Sequence, residues 1–447
     1  MRLNLEAKCY RSGANILNYS QAVRKSLPAF IAGRLIPTAG ISIIFLLMAH
    51  KAPNDLAVFS YVLAVVTMVS APSSLLLATI GNKAASLAHN TTAQRRLFTG
   101  GFTIALGIAI LTPLICLLTV YFASRASGAQ LQDKEAFWNL SIIYISSTPL
   151  VVVNSFLQLF LEATGKAAHY SRLKGFITCG SGVTLTLVAL SAVSESFKYY
   201  AVSYFFITEA LTLCLLIRCL SDQRLYSLVQ AKAVSGYFLG TGAPIAAGLG
   251  GQKVFYYLLT ERIARIDTSV VAQLSVFMTV IGLLIIPPLA LCQIHSLQVS
   301  RNPQYAPGYY WRGLGMTIGI IGLVAIILLP VGEWLFQAVG GSVLPYDVKL
   351  YLLTVFFLSG STLVSFALGH LRARNDILVP QLFINTMMLV IFIPIVYSVN
   401  FTDPTLTTFL SLQGSMTWIC FFSLWVRIFL MHKTDRKRDQ SFFSEID

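Results

Sequence analysis

Apolar runs of about 20 residues recur along this chain, and no other feature narrows the possible folds as far. In hydrocarbon every backbone N–H and C=O must find its partner within the protein, so only helices and closed barrels span a membrane. Barrel strands read as alternating stretches of about ten residues, and runs of this length therefore call for helices. Composition agrees: of 447 residues 56% are hydrophobic and 11% charged, with a mean hydropathy of +0.72. A soluble chain carries about 25% charged residues. The reading is an all-α integral membrane protein.

Apolar runs and polar breaks predict twelve spans, near 26–49, 57–81, 98–122, 137–161, 175–194, 199–218, 235–260, 268–294, 313–337, 349–370, 377–398 and 405–430. The first run follows a polar, basic segment, MRLNLEAKCYRSGANILNYSQAVRKS, with no cleavage-site pattern, so the first span is expected to stay as an anchor. The seven cysteines fall mostly inside apolar runs without a CxxC spacing, which suggests neither a disulfide framework nor a zinc site.

The basic residues orient the spans. Of the 32 Lys and Arg, counting span-end residues such as Arg218 and Arg427 with the breaks they adjoin, 23 fall in the termini and the even-numbered breaks, seven in the odd-numbered breaks, and Arg34 and Lys253 deeper within spans. Positively charged loops stay on the cytoplasmic side, so both termini are expected inside, in a bacterial inner membrane. The net charge of +14 is then a topological bias that needs no nucleic acid, and the tail HKTDRKRD reads as a lipid-facing anchor.

An even number of spans with both ends inside permits two parallel six-helix lobes around a central cavity. Pro28 and Pro244 stand at an offset of 216, as do Pro72 and Pro288. The breaks EATGKAAHYSRLKG and ALGHLRARNDILVPQ each pair a glycine with basic residues. The expected organisation is a tail 1–25, an N-lobe 26–220, a linker 221–234, a C-lobe 235–432 and a basic tail 433–447. Parallel repeats of this kind are one plan for secondary transporters, with the substrate held near the midplane. No GxxxxGK[ST], HExxH or GxSxG pattern occurs, so the sequence offers neither an ATP-driven pump nor a hydrolase, and no cofactor is expected.

An ionisable side chain within a span costs at least ~2.5 kcal/mol and is a functional candidate by default. Arg34 lies between Pro28 and Pro37 in the first span; the 216 offset maps it to Gly250, three residues before Lys253 in the seventh. Two readings are open for each cation: a wall of one central cavity, or a side chain that snorkels to the nearer surface. Glu209, mid-way along the sixth span with no basic residue within a turn, is either a hydrogen-bonded core residue or a proton site. Glu261, followed by Arg262 at the end of the seventh span, is either an interfacial ion pair or a second ion-coupling group. Asn154, Gln158, Gln252, Asn385 and Gln413 are candidate cavity residues, or interhelical hydrogen bonds; Tyr256 and Tyr257 flank the same cavity or anchor the interface. His295 and His370 read as structural or interfacial.

The run VVAQLSVFMTVIGLLIIPPLALCQIHSLQVSRN at 270–302 resembles the eighth-helix region of multidrug and toxic compound extrusion (MATE) transporters, of the multidrug/oligosaccharidyl-lipid/polysaccharide (MOP) superfamily. The two glycine-plus-basic breaks and the prolines entering the first and seventh spans resemble theirs as well. The resemblance implies an ion-driven exporter of a small organic solute, coupled to H+ or Na+ and embedded as a monomer among membrane lipids. Many such exporters carry an acidic residue in the first span, where this chain has Arg34. A basic cavity suits a carboxylate or phosphate better than an organic cation. The alternative is a MOP-type flippase for a lipid-linked oligosaccharide.

Overall fold

The computed structural model describes residues 2–51, 55–126, 134–191, 194–219, 227–266, 268–340, 344–398 and 405–444. Every described element is helical. In chain order they are α1 (Arg2–Lys51), α2 (Leu56–Leu75), α3 (Ile80–Ser86), α4 (Thr91–Ala126), α5 (Lys134–Ala163), α6 (Ala167–Ser191), α7 (Ser194–Cys219) and α8 (Leu228–Ile266). There follow α9 (Thr268–Leu284), α10 (Ile286–Arg301), α11 (Ala306–Gly340), α12 (Val348–Ala373), α13 (Leu378–Asn385), α14 (Ile393–Tyr397) and α15 (Leu406–Ser444). Each of the twelve predicted spans falls largely on one of these helices or on a consecutive set of them.

Among the described residues, ten helical segments are long and apolar enough to cross a membrane, and α9 with α10 makes an eleventh if counted as one bent span. The 39-residue α8 is long enough to cross but is not among them; glycines, Gln252 and Lys253 dilute its apolar run. Large apolar side chains point outward, as with Ile110 at 69% exposure and Phe176 at 80%. In water such a surface would aggregate, whereas in lipid it faces its own solvent.

Prolines explain where the helices depart from straightness. Pro72 precedes the end of α2 and the turn into α3. The 47° bend between α9 and α10 falls at Ile285, just before Pro287 and Pro288. Thr386–Phe392 is a π-helix running into α14, where Pro394 offers no N–H to the preceding turn. The turn after α5 uses Gly165 at φ +84°, a left-handed conformation that glycine adopts without steric cost. After α12 the left-handed residue is Asn375, at φ 60°, whereas Gly369 lies inside the helix. The two breaks therefore share a turn but not the glycine that made them look alike in sequence.

The chain divides into two compact units, Pro28–Gly250 and the combination of Met1–Leu27 with Gly251–Asp447. In the first, α5 packs on α4, α7 and α2, and α6 packs on α7. Its core gathers Ile44, Phe59, Val62, Phe137 and Phe197. In the second, α12 packs on α15, α10 and α11 around Phe255, Phe277, Phe336, Phe366 and Leu410. The division falls at Gly250, inside α8; residues 221–226 of the expected linker 221–234 lie outside the described residues. Residues ahead of Gly250 pack with the first unit: Thr79 and Thr241 share a hydrogen bond at 2.9 Å, and Gly242 lies flat against the Leu76 carbonyl. At the chain's start, the segment expected as a tail continues the first span as helix.

Candidate functional site

The unit Pro28–Gly250 holds a chain of buried polar groups. Asn154, Gln158 and Glu162 recur every four residues on α5 and so share one helix face. Lys174 of α6 donates to Glu209 Oε1 of α7 at 2.7 Å and to Thr212 Oγ1 at 3.1 Å. Asn154 Nδ2 donates to the other carboxylate oxygen of Glu209 at 2.7 Å and to its main-chain oxygen at 2.9 Å. One turn along, Gln158 Nε2 donates to Glu162 Oε1 at 2.9 Å, and Tyr170 donates to Gln158 Oε1 at 3.1 Å. Arg34 of α1 places Nη2 at 3.6 Å from Glu162 Oε2, while its Nη1 donates to the Phe30 carbonyl at 3.0 Å. Gly33 brings α1 close: a Cβ there would meet Ser171 Oγ at 3.1 Å, and that hydroxyl donates to the Ala29 carbonyl at 2.6 Å.

Two cations thus face two carboxylates. The Glu162 side chain is 2% exposed and that of Lys174 5%. Stripping water from a lone ion at such a site costs several kcal/mol, so each depends on its partner. Arg34 does not stand alone: its guanidinium lies 3.6 Å from the Glu162 carboxylate. Glu209, isolated along its own helix, is paired from the next helix. Glu162, Tyr170 and Lys174 were not singled out from sequence. The four-residue spacing of Asn154, Gln158 and Glu162 is the signal that could have found Glu162. Lys174 counted as a loop cation because EATGKAAHYSRLKG reads as a break, yet α6 begins at Ala167 and buries it. Beside this network, Ile36, Ala39, Gly40, Ile43, Thr178 and Leu187 line an apolar groove of about 420 Å³ between α1 and α6.

In the unit containing Gly251–Asp447, Gln252, Lys253 and Tyr256 lie on α8, Asn385 ends α13 and Gln413 lies on α15. Gln413 Nε2 donates to the Tyr256 hydroxyl at 3.2 Å. Gly251 admits the Asn385 carboxamide, whose Cγ would stand 2.8 Å from an added Cβ. The π-helix begins directly after Asn385; single π-turns often sit at functional sites. Asn385 Oδ1 and Gln413 Oε1 are buried without a hydrogen-bond partner among the described residues. Gln252 and Lys253 are half-exposed and make no hydrogen bond or ion pair with a described residue. An ammonium with no carboxylate partner, close in sequence to Tyr256 and its amide partner, can take up an anion by charge-assisted hydrogen bonds. The side chains of Tyr257 and Glu261 lie outside the described residues.

No family model and no curated protein matches the chain. Solved structures do. One is an outward-facing multidrug resistance MATE family transporter of the MOP superfamily, with a TM-score of 0.77 at 14% identity over 92% of this chain and 96% of that one. Another is a MOP superfamily transporter from Pyrococcus furiosus, described as having a binding pocket of reverse polarity that suggests a different function. Its TM-score is 0.75 at 13% identity, over the same shares of the two chains. A MATE in a straight conformation matches with a TM-score of 0.75 and one in a bent conformation with 0.71, both at 15% identity over 93% of this chain and 97% of theirs. The chain therefore has the fold of MATE transporters of the MOP superfamily.

Proposed function

We propose that this chain, having the MATE fold, is a secondary exporter of a small organic anion, driven by H+ or Na+ through alternating access. It works as a monomer in a bacterial inner membrane with both termini cytoplasmic. The observation that carries the reading is Lys253: a half-exposed ammonium without a carboxylate partner among the described residues, on a glycine-bearing helix next to Tyr256. An organic cation would meet repulsion there, and a carboxylate or phosphate would meet its natural partner. Tyr256, Tyr257, Gln252, Asn385 and Gln413 supply hydrogen bonds and an aromatic surface for the rest of the molecule.

Glu209 is the coupling group in this reading, with Glu261 as a second candidate. A proton arriving on Glu209 competes with Lys174 for the same carboxylate, so uptake of one cation loosens the grip on the other. That competition joins ion occupancy to the packing of α5, α6 and α7, since Asn154 and Thr212 belong to the same cluster. The test is equilibrium binding of an aromatic carboxylate to purified protein, with and without Lys253→Ala. A lost charge-assisted contact of about 1.5–3 kcal/mol raises Kd roughly ten- to hundredfold. Equal affinity in both proteins would remove Lys253 from the site.

A further inference from the structure

The sequence contains six histidines, and three of them meet in one line. Tyr19 of α1 stands with its hydroxyl 2.8 Å from His295 Nδ1 on α10. His295 Nε2 is 3.1 Å from His370 Nδ1 on α12, and His370 Nε2 is 3.2 Å from His432 Nε2 on α15. All four residues belong to the unit formed by Met1–Leu27 and Gly251–Asp447. His295 is fully buried, and Tyr19 and His370 are each 1% exposed. Gly313 of α11 makes room for the first link: a Cβ there would stand 2.6 Å from His295 Nδ1 and 2.8 Å from the Tyr19 hydroxyl. Tyr310 of the same helix packs its ring edge-on to both His370 and His432.

We propose that Tyr19, His295, His370 and His432 form a hydrogen-bonded wire that binds one proton as a unit and shares it among its three rings. Proton counting supports this. Three links need three bridging protons, and four neutral groups carry four. With Tyr19 as donor, His295 donates to His370 and His370 to His432, leaving the fourth proton on His432 Nδ1. With every link reversed, Tyr19 accepts, keeps its own hydroxyl proton, and His432 Nδ1 is unprotonated. That second arrangement admits a proton at His432 Nδ1. His432 then hands its Nε2 proton to His370 Nε2, and His370 its Nδ1 proton to His295 Nε2, so the charge moves from ring to ring while Tyr19 keeps its own proton and accepts from His295 Nδ1. The singly protonated state keeps every link intact with the charge shared over three rings; a second added proton would set two N–H groups face to face.

Among the described residues, the other titratable groups packed here include Cys292 of α10, Tyr309 and Tyr310 of α11, and Arg374 at the end of α12. Tyr309 stacks on Tyr19 with ring centroids 4.6 Å apart. Arg374 joins His370 and His432 around a small pocket with Ile428 and Met431. Asp376 beyond it is committed to Arg427, whose Nη2 lies 2.9 Å from Asp376 Oδ1.

The experiment is 15N-histidine solid-state NMR of the full-length protein in liposomes, titrated from about pH 8 to pH 5. His295, His370 and His432 are expected to change together and to take up one proton between them. His432→Gln should move the midpoint of His295, two links away, by about one pH unit. Tyr19→Phe removes the terminal acceptor and should shift the joint midpoint of all three rings to lower pH. Independent midpoints, or variants that alter only the ring they touch, would overturn the wire and leave three separate hydrogen bonds.

Discussion

Lys174 and Glu209 make the sharpest test of how this chain tolerates charge. Their ion pair is 2.7 Å long, with side chains 5% and 20% exposed. At an effective dielectric constant of about 20 the Coulomb attraction at that distance is about 6 kcal/mol, most of which is offset by the loss of hydration. Removing one partner does not simply subtract the remainder, because it strands the other charge at a cost of about 3–5 kcal/mol. Glu209 is partly exposed, so the lower end of that range applies. Lys174→Met and Glu209→Gln should each destabilise by about 3 kcal/mol, while the double variant, which strands nothing, should lose about 1–2 kcal/mol. Equilibrium unfolding of the purified protein in mixed micelles reads all four corners of the cycle. A double variant whose loss equals the sum of the singles, within about 0.5 kcal/mol, would show that the pair does not couple α6 to α7.

Arg34→Ala leaves Glu162 buried without its cation; it should lower stability by about 2–3 kcal/mol, and Arg34→Lys should recover part of the loss in the same unfolding assay. Gly242→Ala sets a Cβ against the Leu76 main chain, which cannot turn aside as a side chain can, so a loss of about 3 kcal/mol or failure to insert is expected. By contrast Lys253→Ala removes no described contact and should change unfolding by less than about 0.5 kcal/mol. Glu209→Gln should flatten the dependence of transport on pH. An unchanged profile would take Glu209 out of the coupling step.

The membrane-spanning architecture was legible because one solvent rule dominates it: each predicted span corresponds to helix, at nearly the predicted residues. Composition could not show where compact packing begins and ends. Ahead of the division inside α8 at Gly250, Gly242 meets Leu76 and Thr241 meets Thr79, contacts between residues more than 160 positions apart. The polar network was half legible. Arg34, Asn154, Gln158 and Glu209 stood out because a polar group in an apolar run is conspicuous against its neighbours. Glu162 and Lys174 did not, since they fall where the run gives way to a polar break and local contrast vanishes. The histidines registered only singly, His295 and His370 as structural or interfacial, for a further reason. Their significance lies in meeting, and nothing in the spacing of residues 19, 295, 370 and 432 announces that four helices bring them into line.

Gradient-driven flux bears most directly on the proposed transport. Inverted vesicles containing the protein would be loaded against a fluorescent organic anion and, separately, a fluorescent organic cation. A proton gradient and then a sodium gradient would be imposed, with wild type and Lys253→Ala side by side. Accumulation of the anion under one of the two gradients, lost at least tenfold in Lys253→Ala, is the expected result. Accumulation of the cation alone, undiminished in the variant, would contradict it.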